Sequence, residues 1–268
     1  MTTTERTIER TNMIKPSNNK HLDMHLVINF SGGKDSCAML DYLCKLYPDT
    51  PKSVVMADTG WEHEDAITWS TERVAEYGLK LHVVKSTTKN YLSMVRDRGM
   101  FPSAQYRQCT SDLKRSPIQK WIRNNIDSKL IINCTGIRSA ESPQRTKQKP
   151  LKRDKGMTNS KRTVWNWMPI KDWSDQRVMT HLSDNNIPLH PVYDYLPRFS
   201  CRLCIFNTDR QILAIKENDP QAFETIAKLE EEIGFTMKDG KSLRQIAEEQ
   251  TNKRQIVADT LSASGIII

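Results

Sequence analysis

Short apolar runs alternating with amphipathic stretches set the plan of this chain. The run Leu26–Phe30 reads as a buried parallel strand, and Cys37–Cys44 follows with helical periodicity. Lys52–Asp58, closed by Thr59-Gly60, reads as a second strand, Leu79–Val84 as a third and Lys129–Cys134 as a further one. Helices are expected over Glu62–Tyr77, over Lys89–Arg98, and from Pro117 to about Asn125 with Ser116 as a candidate cap. Strands alternating with helices imply right-handed βαβ units, hence an α/β fold with a parallel sheet and helices on both faces.

Beyond Trp167 the pattern turns helical. Ser174 is a good N-cap for a helix with Val178, Met179 and Leu182 at helical spacing. Phe223, Ile226, Leu229 and Ile233 mark another helix, and Leu243–Leu261 a last one. Residues 1–20 are polar and aperiodic, and residues 146–163 are rich in Lys and Arg with almost no apolar content. That second stretch is expected to be a flexible basic loop. The expected organisation is a polar arm over 1–20, a nucleotide-binding α/β domain over 21–198, and a C-x-x-C segment with a helical C-terminal extension over 199–268.

The chemistry gathers where strands end, which is where ligands sit in parallel sheets. Ser31-Gly32-Gly33-Lys34-Asp35-Ser36 joins the first strand to the first helix. Two glycines let the backbone approach an anion, the first N–H groups of the helix point at it, and Lys34, Ser31 and Ser36 add donors. The spacing is neither that of a Walker P-loop nor that of a dinucleotide fingerprint. At the end of the second strand, Asp58 is suited to Mg²⁺, to a ribose hydroxyl, or to capping the next helix. Past the fourth strand, Gly136, Arg138, Glu141 and Arg145 fit an anion clamp with an acidic partner.

Composition narrows the classes. With 37% hydrophobic and 27% charged residues in 268, the chain is an ordinary globular protein. No apolar stretch approaches a membrane span and the N-terminus lacks the apolar core of a signal peptide, so a cytoplasmic location is expected. A net charge of +8 favours polyanions or small anionic substrates. Lys147, Lys149, Lys152, Arg153 and Lys155 are the candidate nucleic-acid contacts. The six cysteines do not suggest a disulfide scaffold in such a setting. Cys109, flanked by Arg107, Lys114 and Arg115, is the candidate reactive thiol, because neighbouring cations lower a thiol pKa. Cys201 and Cys204 form a C-x-x-C that is open between a redox pair, half a metal site and a structural turn. His190, next to Pro191, reads as structural.

The hexapeptide Ser31–Ser36 resembles the SGGxDS loop of the PP-loop ATP pyrophosphatases, which cleave ATP between the α and β phosphates. Four further segments resemble the phosphoadenylyl-sulfate (PAPS) reductase branch of those proteins. They are Asp58-Thr-Gly with the following Trp61, Arg107-x-Cys109-Thr-x-x-Leu-Lys114, Gly136-x-Arg138-x-x-Glu141-Ser-x-x-Arg145, and Pro169-Ile-x-x-Trp173 with the later Pro191-x-Tyr193-Asp194. Reductases of that branch use a cysteine in a Glu-Cys-Gly-x-His context, whereas here no cysteine follows Cys204.

The resemblance therefore implies the ATP-using branch, in particular the ATP pyrophosphatase of bacterial DNA phosphorothioation systems. It implies ATP and Mg²⁺ as cofactors, with zinc or an iron–sulfur cluster as a further option. Ser31 to Ser36 would hold pyrophosphate, Arg138 and Arg145 the activated phosphate. Cys109 would carry sulfur, with Cys201 and Cys204 as resolving or metal-binding partners. The implied partners are DNA or tRNA, a cysteine desulfurase as sulfur donor, other modification-complex subunits and a second copy in a homodimer; no membrane is implied. The alternatives are tRNA thiolation, thiol-dependent reduction of PAPS, and a non-catalytic nucleotide-sensing module.

Overall fold

The computed structural model describes residues 23–199 and 201–263; the polar arm expected over 1–20 lies outside them. Six strands form one sheet in the order β3-β2-β1-β4-β6-β5. They are β1 (Met24–Asn29), β2 (Lys52–Asp58), β3 (Leu81–Lys85), β4 (Leu130–Cys134), β5 (Leu151–Arg153) and β6 (Thr163–Trp167). All neighbours are parallel except β5, which runs antiparallel to β6. The α/β fold with helices on both faces is as expected.

Strand alternation divides the core. Leu26 and Ile28 face one side, buried with Leu40 and Leu43 of α1 (Lys34–Leu46) and Val178 and Leu182 of α5 (Asp175–Asp184). Val27 faces the other, with Val55, Ile131 and Val164, under Ile118 and Ile122 of α4 (Ser116–Asn125). Two more helices, α2 (Ala66–Ala75) and α3 (Tyr91–Arg98), complete the βαβ units. The C-terminal helices α6 (Asp209–Asn218), α7 (Pro220–Ile233) and α8 (Leu243–Ala263) pack on one another. Their Ile212, Phe223 and Ile246 join the same core as β1.

Three expectations need correction. Helix α2 starts at Ala66 rather than Glu62, because the Glu62 carboxylate turns back to accept from the Thr59 N–H (2.8 Å) and hydroxyl. Ser116 is not a cap: Gln108–Thr110 and a π-helical segment, Ser111–Arg115, run continuously into α4.

The basic stretch 146–163 is not a loose loop but an ordered hairpin. Asp154 accepts from the backbone N–H of Gly156 (3.0 Å) and Met157 (3.1 Å) and from the Asn166 amide (3.0 Å). Met157 is buried beneath α4, and Arg162 donates to the last carbonyls of that helix, those of Ile122, Arg123 and Ile126. One apolar anchor and one carboxylate thus order a segment whose composition reads as mobile.

Because β5 is antiparallel, Lys147 and Lys149 lie at the same end of the sheet as the Ser31–Ser36 turn, and Lys155 lies at the opposite end. Lys152 and Arg153 are exposed between them.

Candidate functional site

The turn after β1 is tightly determined. Gly32 has φ +76°, and a Cβ there would lie 2.8 Å from the Ser70 hydroxyl. A Cβ on Gly33 would meet Phe199 and the Tyr193 hydroxyl at 3.4 Å. Ser36 donates to the Gly33 carbonyl (2.8 Å) and accepts from the Ser31 N–H (3.3 Å), closing the turn on itself. Gly136, at the end of β4, lets that chain approach the first turn of α1: a Cβ would be 3.2 Å from the Asp35 carbonyl.

A cavity of about 390 Å³ opens above the turn, lined by Ser31, Gly33, Lys34, Asp35, Ser36, Gly136 and Arg138 among the predicted residues, with Gly32 behind it. At its floor is an ion network. Arg138, only 2% exposed, donates to Asp35 (2.6 Å), to Asp175 (2.8 Å) and to the Trp173 carbonyl (3.2 Å). Lys34 Nζ sits 3.2 Å from the same Asp175 oxygen. Burial pushes the Asp35 carboxyl above its ordinary pKa, against the pull of Arg138. Hydrogen bonds from Arg138 and then Lys34 hold Asp175 below its own. Arg138 is thus at the cavity, with its guanidinium engaged by the protein. Arg145 pairs with Glu141 and does not line the cavity, whereas Glu141 does.

Several lining residues had no sequence-based assignment. Asp175 follows the Ser174 cap, which marked only a helix start. The Tyr193 hydroxyl accepts the Lys34 N–H at 2.8 Å, so one of the helix-start donors is already occupied. Arg198 and Asn29 line the cavity too. The Asn29 amide begins a ladder through Asn133 (2.7 Å) and Asn166 (2.8 Å) to Asp154, linking cavity and hairpin. Asp58 lies at the end of β2, outside the cavity lining, where its carboxylate accepts the Gly60 N–H (2.8 Å).

The thiols form a second centre. Cys109 occupies the helical turn that leads into α4, and its thiol is not acidified. Burial, then the neighbouring Cys204, pushes it above its ordinary pKa. The expected cations are directed elsewhere: Arg107 stacks over Phe206 (5.1 Å), and Lys114 Nζ lies 3.9 Å from Cys201 Sγ and 3.7 Å from Glu62. Burial also pushes the Cys201 thiol up to about 12. All three thiols act on Tyr91, which is 3% exposed and whose hydroxyl has no hydrogen-bond partner among the described residues. No described cysteine is in a disulfide. Among the described residues, no group of three or more His, Cys, Asp or Glu is arranged to hold a metal ion.

The two centres adjoin. Phe199 packs on Gly32 and Gly33, and the chain then reaches Cys201 and Cys204. The Trp61 indole donates to the Leu203 carbonyl (3.0 Å), and the Arg202 N–H donates to the Trp61 carbonyl (3.1 Å), pinning that turn beside the end of β2.

A mostly parallel sheet with a glycine turn at the β1–α1 junction is the arrangement in which an α/β domain can hold an anionic group at a helix start. The chain belongs to the phosphoadenosine phosphosulfate reductase domain family, whose model matches residues 25–198. An uncharacterised protein of Methanocaldococcus jannaschii is 29% identical over 74% of this chain and 40% of its own length. A second from the same archaeon is matched over 48% of its length, so the chain spans less than half of these curated relatives. The phosphoadenosine 5′-phosphosulfate reductase of Proteus mirabilis is 24% identical over 65% of this chain and 68% of that protein. Among solved structures, the U34-tRNA thiolase NcsA of Methanococcus maripaludis, with its 4Fe–4S cluster, aligns with a TM-score of 0.50 at 14% identity. That alignment covers 91% of this chain and 86% of the other, and it supports the fold. Among the described residues no helix is long and apolar enough to cross a membrane.

Proposed function

We propose that this chain is an ATP pyrophosphatase that activates a nucleic-acid phosphate for replacement of an oxygen by sulfur, with DNA as the polymer. The observation that carries the reading is the junction of two chemistries. A phosphate-binding turn packs directly on Phe199, and the same segment carries two of the three clustered thiols.

The proposed sequence starts with attack of a substrate phosphate oxygen on the α phosphorus of ATP. The bond from that phosphorus to the bridging oxygen breaks, and pyrophosphate leaves onto Ser31, Gly33, Lys34 and Ser36. Asp35 and Asp175 face this position, and carboxylates with phosphate oxygens suit Mg²⁺, which offsets charge when bound. Arg138 fixes both carboxylates. A persulfide on Cys109, loaded by a cysteine desulfurase, then attacks the activated phosphorus, and AMP departs. A second thiol, from Cys201 or Cys204, attacks Cys109 sulfur and releases the phosphorothioate. The resulting disulfide accounts for the two electrons.

Two other readings have support. The tRNA thiolase NcsA, with its cluster, favours tRNA as the polymer and an iron–sulfur role for Cys109, Cys201 and Cys204. The Proteus mirabilis relative favours thiol reduction of a nucleotide-activated sulfate.

The test is pyrophosphate and phosphate release from ATP and Mg²⁺, with desulfurase and cysteine, in the presence of duplex DNA or of tRNA. The proposal expects pyrophosphate without free phosphate, stimulated by DNA, and phosphorothioate in digests of that DNA. Stimulation by tRNA alone moves the substrate to RNA. Consumption of PAPS with no ATP cleavage overturns the proposal.

A further inference from the structure

A second cavity, of about 510 Å³ and larger than the first, lies where the carboxyl end of β3 and residues 86–89 meet α4. None of the chemistry above uses it. Its lining is polar and cationic. Lys85 and Lys120 are exposed and have no carboxylate partner among the described residues, and Asp112, the carboxylate in the described lining, is bonded to Lys89 at 2.7 Å. Ser86, Thr87 and Thr88 add hydroxyls and Asn124 an amide. One wall is the ring of Trp121, backed by His82 with ring centroids 4.7 Å apart. Two free ammonium groups, a row of hydroxyls and one flat ring suit a ligand with an anionic part and an aromatic part. A purely apolar ligand finds only Val84 and Pro117 besides that ring.

The position matters as much as the lining. All parallel strands end on one edge of the sheet. The phosphate turn stands at the end of β1, and β3 is two strands away, roughly 10 Å at the usual inter-strand spacing. On the other side of the turn, Lys147 and Lys149 lie at the same edge. Cations therefore flank the phosphate site on both sides, and the aromatic ring occurs on one of them.

We infer that the Trp121 groove binds a nucleotide unit of a single-stranded polynucleotide. A base stacks on Trp121, and its phosphates meet Lys85 and Lys120, while a neighbouring phosphate of the strand lies beside the cavity above Ser31–Ser36, next to the bound ATP. The inference rests on the nucleic-acid reading given above and adds where the strand lies.

The test is fluorescence anisotropy of fluorescein-labelled single-stranded DNA and RNA oligonucleotides with the full chain, over a salt series. Trp121→Ala is expected to weaken binding about tenfold or more, with Trp121→Phe recovering most of the loss. Replacing Lys85 and Lys120 together by Ala is expected to lower the salt slope by about 1.4, the contribution of two phosphate contacts on a single strand. These two lysines are exposed, so the double variant is informative even if Trp121→Ala fails to fold. Parent-like affinity and slope in the folded variants would overturn the groove assignment while leaving the nucleic-acid reading in place. Displacement of the oligonucleotide by equimolar AMP would make the groove a free-nucleotide site and overturn the polymer claim. No binding of any single-stranded oligonucleotide by a parent whose pyrophosphate release is stimulated by duplex DNA would overturn the groove and leave the nucleic-acid reading standing.

Discussion

The phosphate turn and the thiol cluster sit against each other, yet they are built to different degrees of completion. Within the turn and at the start of α1 the donors and acceptors are matched, and among the described residues the buried Ser70 hydroxyl and Trp69 indole N–H beside Gly32 are the exceptions. The buried Arg138 bridges two carboxylates, Tyr193 caps the start of α1, and Ser36 ties the turn to itself. Around Cys109, Cys201 and Cys204 the opposite holds. Burial raises the pKa of the Cys109 and Cys201 thiols, and the Tyr91 hydroxyl beside the cluster has no hydrogen-bond partner among the described residues. A site for an anion that arrives repeatedly is held rigid in advance. Under the proposed function, Cys109 and Cys201 are the thiols held neutral by burial until a persulfide is loaded. The adjoining centres thus divide the labour between positioning and reactivity.

The sharpest break in that comparison is Arg138→Ala. It removes the cation bonded to the largely buried Asp35 and leaves Asp175 with Lys34 alone, and a loss of about 3–5 kcal/mol is expected in urea unfolding. A loss under 1 kcal/mol (roughly the worth of an exposed pair) would mean the network is not an organising element. Gly32→Ala comes next. The left-handed backbone and the 2.8 Å approach to Ser70 make it strained, at about 1–3 kcal/mol, with ATP affinity falling in calorimetry. An unchanged affinity would show that the turn tolerates distortion.

For the thiol centre, iodoacetamide labelling read by mass spectrometry distinguishes a neutral thiol from an activated one. Because the Cys109 pKa is raised, the thiolate is scarce at neutral pH, and labelling should keep climbing past pH 9.0, the ordinary cysteine value. A plateau below that value would contradict the geometry. The smallest effect belongs to the hairpin: Asp154→Ala should cost about 1–2 kcal/mol and speed amide exchange at Gly156 and Met157. Unaltered exchange would return that segment to the status its composition suggests.

What the sequence revealed follows the range of the interactions. Ser31–Ser36 is legible because its geometry is local: glycines, a strand end and a helix start lie within a few residues. Arg138 is legible as a functional candidate, but not its engagement, since Asp35 lies 103 residues away and Asp175 37 away. Tyr193, 159 residues from Lys34, carried a resemblance but no sign that its hydroxyl reaches the helix start. Cys109 misled for a similar reason. Arg107 and Lys114 do pull the Cys109 pKa down, but burial and the neighbouring Cys204 outweigh them. In the stretch 146–163, charge density outweighed one methionine in the reading, whereas that methionine fixes the fold.

The central claim is that Lys34 and its turn stabilise a departing pyrophosphate. It is tested most directly by following α-labelled and γ-labelled ATP through a single incubation with the parent chain and with Lys34→Ala, in the presence of Mg²⁺ and DNA. The account predicts AMP and pyrophosphate from the parent, and a rate lower by about 10²–10³ in the variant, the usual effect of removing one such donor. ADP and free phosphate from the parent, or equal pyrophosphate from both proteins, would contradict it.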